Sequence, residues 1–256
     1  MRIDSYLVEI KRFESRNKAR EAVERGEVFV NGKNVKPSFD VSARDEITYA
    51  ENAGRYVSVG AYKLERAFEV FNFSVKGKVV ADVGASTGGF TQCLLFHGAE
   101  KVFAVDVGES LLHPSLKCDS RVVPIENFNA RYLSPSVFGG AVDAVVSDVS
   151  FISLTYILGG ISACLKEGGE AVVLIKPQFE CGKRFLSKNG IVTDANARYT
   201  ACSNVFNYAK SLGLSACGFD VAPEIIGKNK EFLLYLNKGA QEIVNEKLLR
   251  DICIKS

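Results

Sequence analysis

From Lys78 onward, short and almost wholly apolar runs alternate with helix-length segments, and that alternation leaves few folds open. Strands are expected over 78–83, 101–106, 121–126, 142–147, 170–175, 214–222 and 231–236, and helices over 88–97, 153–166 and 194–212. A strand that is apolar along its whole length is buried on both faces, which marks a parallel sheet with helices on either side. The fold class is therefore α/β, a doubly wound, Rossmann-like sheet. Its last two strands are close in sequence and should pair antiparallel at one edge. No run approaches the roughly 18–20 apolar residues of a bilayer span. With 47% apolar and 24% charged residues, disordered and fibrous classes are excluded as well.

Residues 1–50 have a different texture, made of short charged elements. Ser15 can cap a helix running to about Arg25, with Gly26 as its stop. Val28-Phe29-Val30, Asn31-Gly32 and Lys33-Asn34-Val35 then read as a hairpin, because a type I′ turn needs two residues that accept positive φ. Glu46–Tyr49 closes the set as a third strand, giving a small α+β domain over 1–50 and a linker over 51–60. Net charge over the whole chain is only +2, but Lys11, Arg12, Arg16, Lys18, Arg20 and Arg25 fall within fifteen residues. Such a face either tracks phosphates or is simply solvated.

The first strand of the second part ends in Asp82-Val83-Gly84-Ala85-Ser86-Thr87-Gly88-Gly89-Phe90. A glycine-rich turn between a strand and a helix lets a ligand approach the backbone. No lysine follows the glycines, so this is not a Walker A loop, and Ser86 interrupts the dinucleotide fingerprint G-x-G-x-x-G. Asp106 closes the next strand, where an acid can accept both hydroxyls of a ribose. Glu126 and Asn129 follow the third strand, and Asp148 and Lys176 end the fourth and fifth. Ionisable groups at the ends of neighbouring strands face the crevice of such a sheet. A lysine there is either an ion-pair partner of Asp148 or a general base.

These motifs carry a resemblance. Arg2-Ile3-Asp4, Ser15–Ala19 and Gly26–Lys33 resemble the S4 RNA-binding module. The loop at 82–90 resembles the S-adenosylmethionine (AdoMet) loop of methyltransferases. Together with Asn129–Leu133, Asp148–Leu154, Lys176–Glu180, Gly190–Asp194 and Glu231–Leu234, the chain is similar over about residues 2–237 to the haemolysin-A (TlyA-like) family. That family joins an S4 module to an FtsJ-like ribose 2′-O-methyltransferase. The resemblance implies AdoMet as cofactor, held by Asp82, Gly84, Ser86, Gly88, Phe90, Asp106, Glu126 and Asn129. It implies a catalytic set of Lys63, Asp148, Lys176 and Glu231, with Lys176 as general base toward a ribose 2′-hydroxyl of ribosomal RNA. Arg2, Arg16, Lys18, Arg20 and Lys33 would hold the RNA or ribosomal subunit. The chain departs from the family pattern at Val59 and Ala61, where arginine and glycine are usual, and at Lys228 in place of glycine.

On this reading residues 61–237 form the methyltransferase domain and 238–256 a tail, with a helix from Gln241 to about Ile254. An RNA-binding assembly factor with little activity and a membrane-active haemolysin are the alternatives. The N-terminus has no apolar stretch of the secretory kind, and a cytoplasmic location is expected. The seven cysteines, never spaced Cys-x-x-Cys, read as free thiols, so no metal site is expected. His97 and His113 read as bystanders.

Overall fold

The computed structural model describes residues 1–24, 26–49, 56–58, 60–223 and 228–255. The chain forms two compact units, one within Met1–Val59 and one over Gly60–Pro223 and Asn229–Ser256. Arg25, Val59 and most of the expected linker lie outside the described residues.

In the first unit, α1 (Ile3–Glu9) and α2 (Arg16–Glu24) pack on a three-stranded antiparallel sheet of β1 (Val28–Val30), β2 (Lys33–Asn34) and β3 (Ile47–Tyr49), in the order β2-β1-β3. The Ser15 hydroxyl accepts the Lys18 N–H at 3.3 Å, and Gly26 sits at φ +72°, so both ends of α2 are set as the sequence indicates. Asn31 and Gly32 take φ +53° and +72°, the two positive values a type I′ turn requires. The helix α1 was not legible beforehand. It has only seven residues, and it is held by burying Ile3 and Leu7, one turn apart, among Ala19, Ala22, Val23 and Val28.

The second unit is built on a seven-stranded sheet. Its elements are α3 (Gly60–Val70), β4 (Val79–Val83), α4 (Gly89–Phe96), β5 (Lys101–Val105), α5 (Pro114–Lys117), β6 (Val122–Ile125), β7 (Val142–Ser147), α6 (Leu158–Cys164), β8 (Leu165–Ile175), α7 (Pro177–Glu180), α8 (Ala195–Ser211), β9 (Leu214–Val221), β10 (Phe232–Lys238) and α9 (Glu246–Lys255). Strand order is β6-β5-β4-β7-β8-β10-β9, parallel except for β10, which runs antiparallel to both neighbours. The doubly wound sheet and its antiparallel pair at one edge are as expected.

Two expectations are corrected. The segment 153–166 is not one helix: a 3₁₀ turn at Leu154–Tyr156 precedes α6, and the chain is already β-strand at Leu165. Apolar residues alone do not separate a buried helix from a buried strand here. The helix expected within 238–256 is present, and it buries Leu249 and Cys253 in the core of this unit. It starts at Glu246 rather than Gln241.

Candidate active site

The glycine loop is shaped by positions that reject side chains. Gly84 sits at φ +88°, and a Cβ there would lie 3.0 Å from the Asp148 carbonyl oxygen. Gly88 caps α4 at φ +94°, where a Cβ would strike Leu116. Between them Ser86 is held in the left-handed region at φ +49°. Asp106 fixes this shape: one carboxylate oxygen accepts the Ser86 N–H at 2.7 Å, the other the Gly108 N–H at 2.8 Å.

Beside the loop lies a cavity of about 480 Å³, lined by Gly84, Ser86, Asp106, Asn129, Arg131 and Asp148, among others. Four of the eight expected cofactor residues, Gly84, Ser86, Asp106 and Asn129, are thus brought to it. Asp82, Gly88, Phe90 and Glu126 stand outside its lining. Asp82 is wholly buried in β4, where Thr91 donates to it at 2.6 Å. Burial pushes its carboxyl up to about 7, against the Thr91 hydrogen bond and with help from the charge of Asp148. Phe90 is buried on α4. Glu126 pairs with Lys117 at 2.9 Å, and that hydrogen bond holds its carboxyl below the usual range.

The four expected catalytic residues do converge. Asp148 follows β7 and Lys176 follows β8, so both stand at the C-terminal edge of parallel strands. Because β10 runs the other way, Glu231 precedes its first residue at that same edge, where Phe232 pairs with Ile175. Lys63 projects from the first turn of α3. Its Nζ lies 2.7 Å from Glu231 Oε2 and 3.3 Å from Asp148 Oδ2, while Lys176 Nζ lies 2.6 Å from Asp148 Oδ1. The result is a continuous chain, Glu231–Lys63–Asp148–Lys176.

Burial alone would raise the Asp148 carboxyl, but the two ammonium groups outweigh it and hold it below the usual range. Burial likewise opposes the charge on Lys63, and Asp148 and Glu231 outweigh it to hold the amine above its usual value. Lys176 is among the few charged residues that are buried.

Several residues here were not singled out from the sequence. Ser150 accepts a hydrogen bond from Lys176 Nζ at 2.8 Å and ends the chain of charges. Phe151 takes φ +63° and leaves its ring 90% exposed at the cavity, 5.2 Å from the ring of Phe179. The Arg131 guanidinium lies 4.8 Å over the Tyr156 ring, and Tyr132 and Tyr156 are exposed. Ser150 and Phe151 lie within the Asp148–Leu154 motif, but nothing in the sequence assigns either of them a role. Asn229, kept where the neighbouring glycine is replaced, accepts the Val192 N–H and donates to the Gly190 carbonyl.

In the first unit most of the basic residues expected to meet RNA already have acidic partners. Arg2 and Arg16 both bind the buried Asp4, at 2.8 and 3.2 Å. Burial would raise that carboxyl, and the two arginines bring it below its usual value. Lys18 pairs with Glu14 and Arg20 with Glu24 along α2. Lys33 is exposed and has no ion pair among the described residues.

A doubly wound sheet with a glycine loop, an acid on its second strand and a cavity at the strand ends defines a Rossmann-type nucleotide-cofactor fold. Residues 56–239 match the family described as FtsJ-like methyltransferase, and residues 1–47 match the S4 domain. The chain is 40% identical to the 16S/23S rRNA (cytidine-2′-O)-methyltransferase TlyA of Mycobacterium tuberculosis, over 98% of this chain and 94% of that one. It is 42% identical to Hemolysin A of Brachyspira hyodysenteriae, over 87% of this chain and 93% of that one. A solved structure described as a hemolysin from Streptococcus thermophilus is 37% identical, covers all of this chain and 94% of its own, and superposes with a TM-score of 0.77. The chain belongs to the FtsJ-like methyltransferase family, in the TlyA and hemolysin A group that carries an N-terminal S4 domain. Among the described residues no helix is long and apolar enough to cross a membrane.

Proposed function

We propose that this protein is an AdoMet-dependent methyltransferase acting on ribose 2′-hydroxyls of ribosomal RNA in the cytoplasm. The carrying observation is the chain Glu231–Lys63–Asp148–Lys176 at the edge of the cavity. The rRNA (cytidine-2′-O)-methyltransferase activity of the Mycobacterium tuberculosis relative supports the reaction, and the S4 match supports RNA as substrate.

The cavity fits the cofactor in three respects. Its volume suits a ligand of nucleoside size. At Gly84 the missing Cβ keeps the wall open beside Asp148. The Asp106 carboxylate, with about four lone-pair sites, has capacity left for a ribose diol after accepting two amides. When bound, AdoMet supplies an electrophilic methyl and a positive sulfonium, which this site balances with Lys176 as the neutral amine.

Two lysines and two carboxylates make the set formally neutral, so the base form of Lys176 is reached by loss of one proton to solvent. The Lys176 Nζ would then take up the proton that the ribose hydroxyl gives up. Asp148 and Ser150 hold the amine in place from two sides. Lys63 anchors Asp148 from its other oxygen, and Glu231 anchors Lys63 in turn. Base assistance of this kind is worth about 10²–10⁴-fold, and holding the reactants in line supplies more.

Exposed Phe151, Tyr132 and Tyr156, with Arg131, offer stacking faces around the cavity, which suit unpaired RNA bases better than a small substrate. The S4 unit would add phosphate contacts from Arg2, Arg16, Lys18, Arg20 and Lys33. Mass spectrometry of ribosomal RNA from cells with and without the protein tests the proposal. A 2′-O-methyl group lost with the protein, and restored by wild type but not by Lys176→Met, is the expected result. Identical RNA from both strains refutes it.

A further inference from the structure

Cys93 on α4 and His97, the residue that caps the helix, stand four residues apart, and the His97 N–H donates to the Cys93 carbonyl at 3.0 Å, so the two share one face. The neighbouring helix α3 lays Glu65 against them. His97 Nε2 and Glu65 Oε2 are 2.9 Å apart, and the donor atoms of Glu65, Cys93 and His97 all lie within 4.8 Å of one another. The Phe68 ring stacks on the imidazole with centroids 3.7 Å apart and planes at 9°, which fixes the ring plane. Cys93 is fully buried, whereas the Glu65 and His97 side chains are 20% and 33% exposed. The cluster is thus closed toward the protein and open toward solvent.

We propose that Glu65, Cys93 and His97 form a site for a divalent transition metal, with Zn(II) the best match. Thiolate, imidazole and carboxylate are the three donor types zinc prefers, and the open side leaves room for a water as fourth ligand. A tetrahedral ion with bonds of about 2.0–2.3 Å holds its donors roughly 3.3–3.7 Å apart, so modest side-chain rotation closes the trio around it. Binding releases the Cys93 thiol proton to solvent and leaves the imidazole proton on the ring nitrogen facing away from the ion, so affinity rises with pH.

The role is structural. The site lies outside the lining of the methyl-transfer cavity. It joins α3, which carries Lys63 two residues before Glu65, to α4, which opens at the glycine loop. An ion here would hold together the two helices that carry Lys63 and follow the glycine loop. Cysteine spacing could not reveal it, because one of its donors comes from a different helix.

The test uses the full chain, stripped with a chelator and titrated with Co(II). One equivalent should produce thiolate-to-cobalt charge-transfer absorption that Zn(II) then abolishes. Cys93→Ser should lose that absorption, and His97→Gln should bind at least tenfold more weakly. Added Zn(II) should raise the unfolding midpoint of wild type and not that of His97→Gln. Absence of the absorption at one equivalent, or its persistence in Cys93→Ser, overturns the proposal; in the second case the ion sits on another cysteine. Should Cys93→Ser fail to fold, the partly exposed His97→Gln and Glu65→Gln decide. Affinity equal to wild type in both would leave the His97–Glu65 hydrogen bond as a simple clip between helices.

Discussion

Replacing Lys176 by methionine removes the amine and keeps most of the packing volume. Stability falls only in part. Removing one partner of a buried ion pair costs about 3–5 kcal/mol when the other charge is left alone. Asp148 is not left alone, because Lys63 remains 3.3 Å from its other oxygen. A loss of about 1–3 kcal/mol is therefore expected, enough to lower a melting temperature and not enough to unfold a domain of this size. Methyl transfer, by contrast, should fall about 10²–10⁴-fold, the usual worth of a general base. Lys176→Arg should fail too, because guanidinium keeps the charge but cannot accept a proton near neutral pH. The assay is single-turnover methyl transfer to pre-bound RNA across pH 6–10, with AdoMet affinity measured separately by calorimetry. Lys176→Met should be slow relative to wild type at every pH tested. A methionine or arginine enzyme within about tenfold of wild type would refute the assignment, since that loss lies below the range for base catalysis.

Three further outcomes follow from the same geometry. Asp106→Ala takes the acceptor from the Ser86 and Gly108 amides as well as from a ribose diol, so AdoMet affinity should drop roughly ten- to hundredfold, the worth of a charged hydrogen bond; unchanged binding by calorimetry removes Asp106 from the site. Lys18→Gln with Arg20→Gln should lower the slope of log affinity for RNA against log salt by about 1.4–1.8 and leave AdoMet binding alone; an unchanged slope makes α2 a solvated face, and Arg16 is spared because it also neutralises buried Asp4. Asp82 binds a proton in the folded protein up to about pH 7 and in the unfolded chain only to about pH 4, so its ionisation opposes folding as pH rises through that window. Urea unfolding at pH 5 and pH 8 should show wild type losing stability relative to Asp82→Asn, by about 2–3 kcal/mol, and parallel curves would count against the buried charge.

The second unit was readable because its strands are apolar throughout and its loop is punctuated by glycine. Asp106 and Asp148 could be placed from strand ends alone, whereas Lys63 and Glu231 came only from the family resemblance. Nothing in the local pattern of Lys63 says that α3 returns it to the sheet edge. The limits elsewhere have physical causes. Ile3–Glu9 is too short to show a helical period, and only the burial of Ile3 and Leu7 fixes it. The helix expected over 153–166 failed because buried strand and buried helix are written with the same residues. Asp82, Gly88 and Phe90 belong to the loop motif, yet they act beneath the cavity, shaping the strand and helix that carry its lining.

Strand direction explains why four residues so far apart in sequence meet. In a wholly parallel sheet the residue before a strand lies at the edge opposite the binding crevice, and an acid at position 231 would be a surface charge. Here β10 is reversed, and its pairing of Phe232 with Ile175 sets Glu231 beside the end of β8. Lys63 then finds a carboxylate on each side instead of one, and its ammonium is held although its side chain is only 13% exposed. Asp148 gains in turn, since a lone buried carboxylate would protonate rather than stay charged. Each buried charge is stable because of the next one along, and the reversed strand supplies the acid that ends the series.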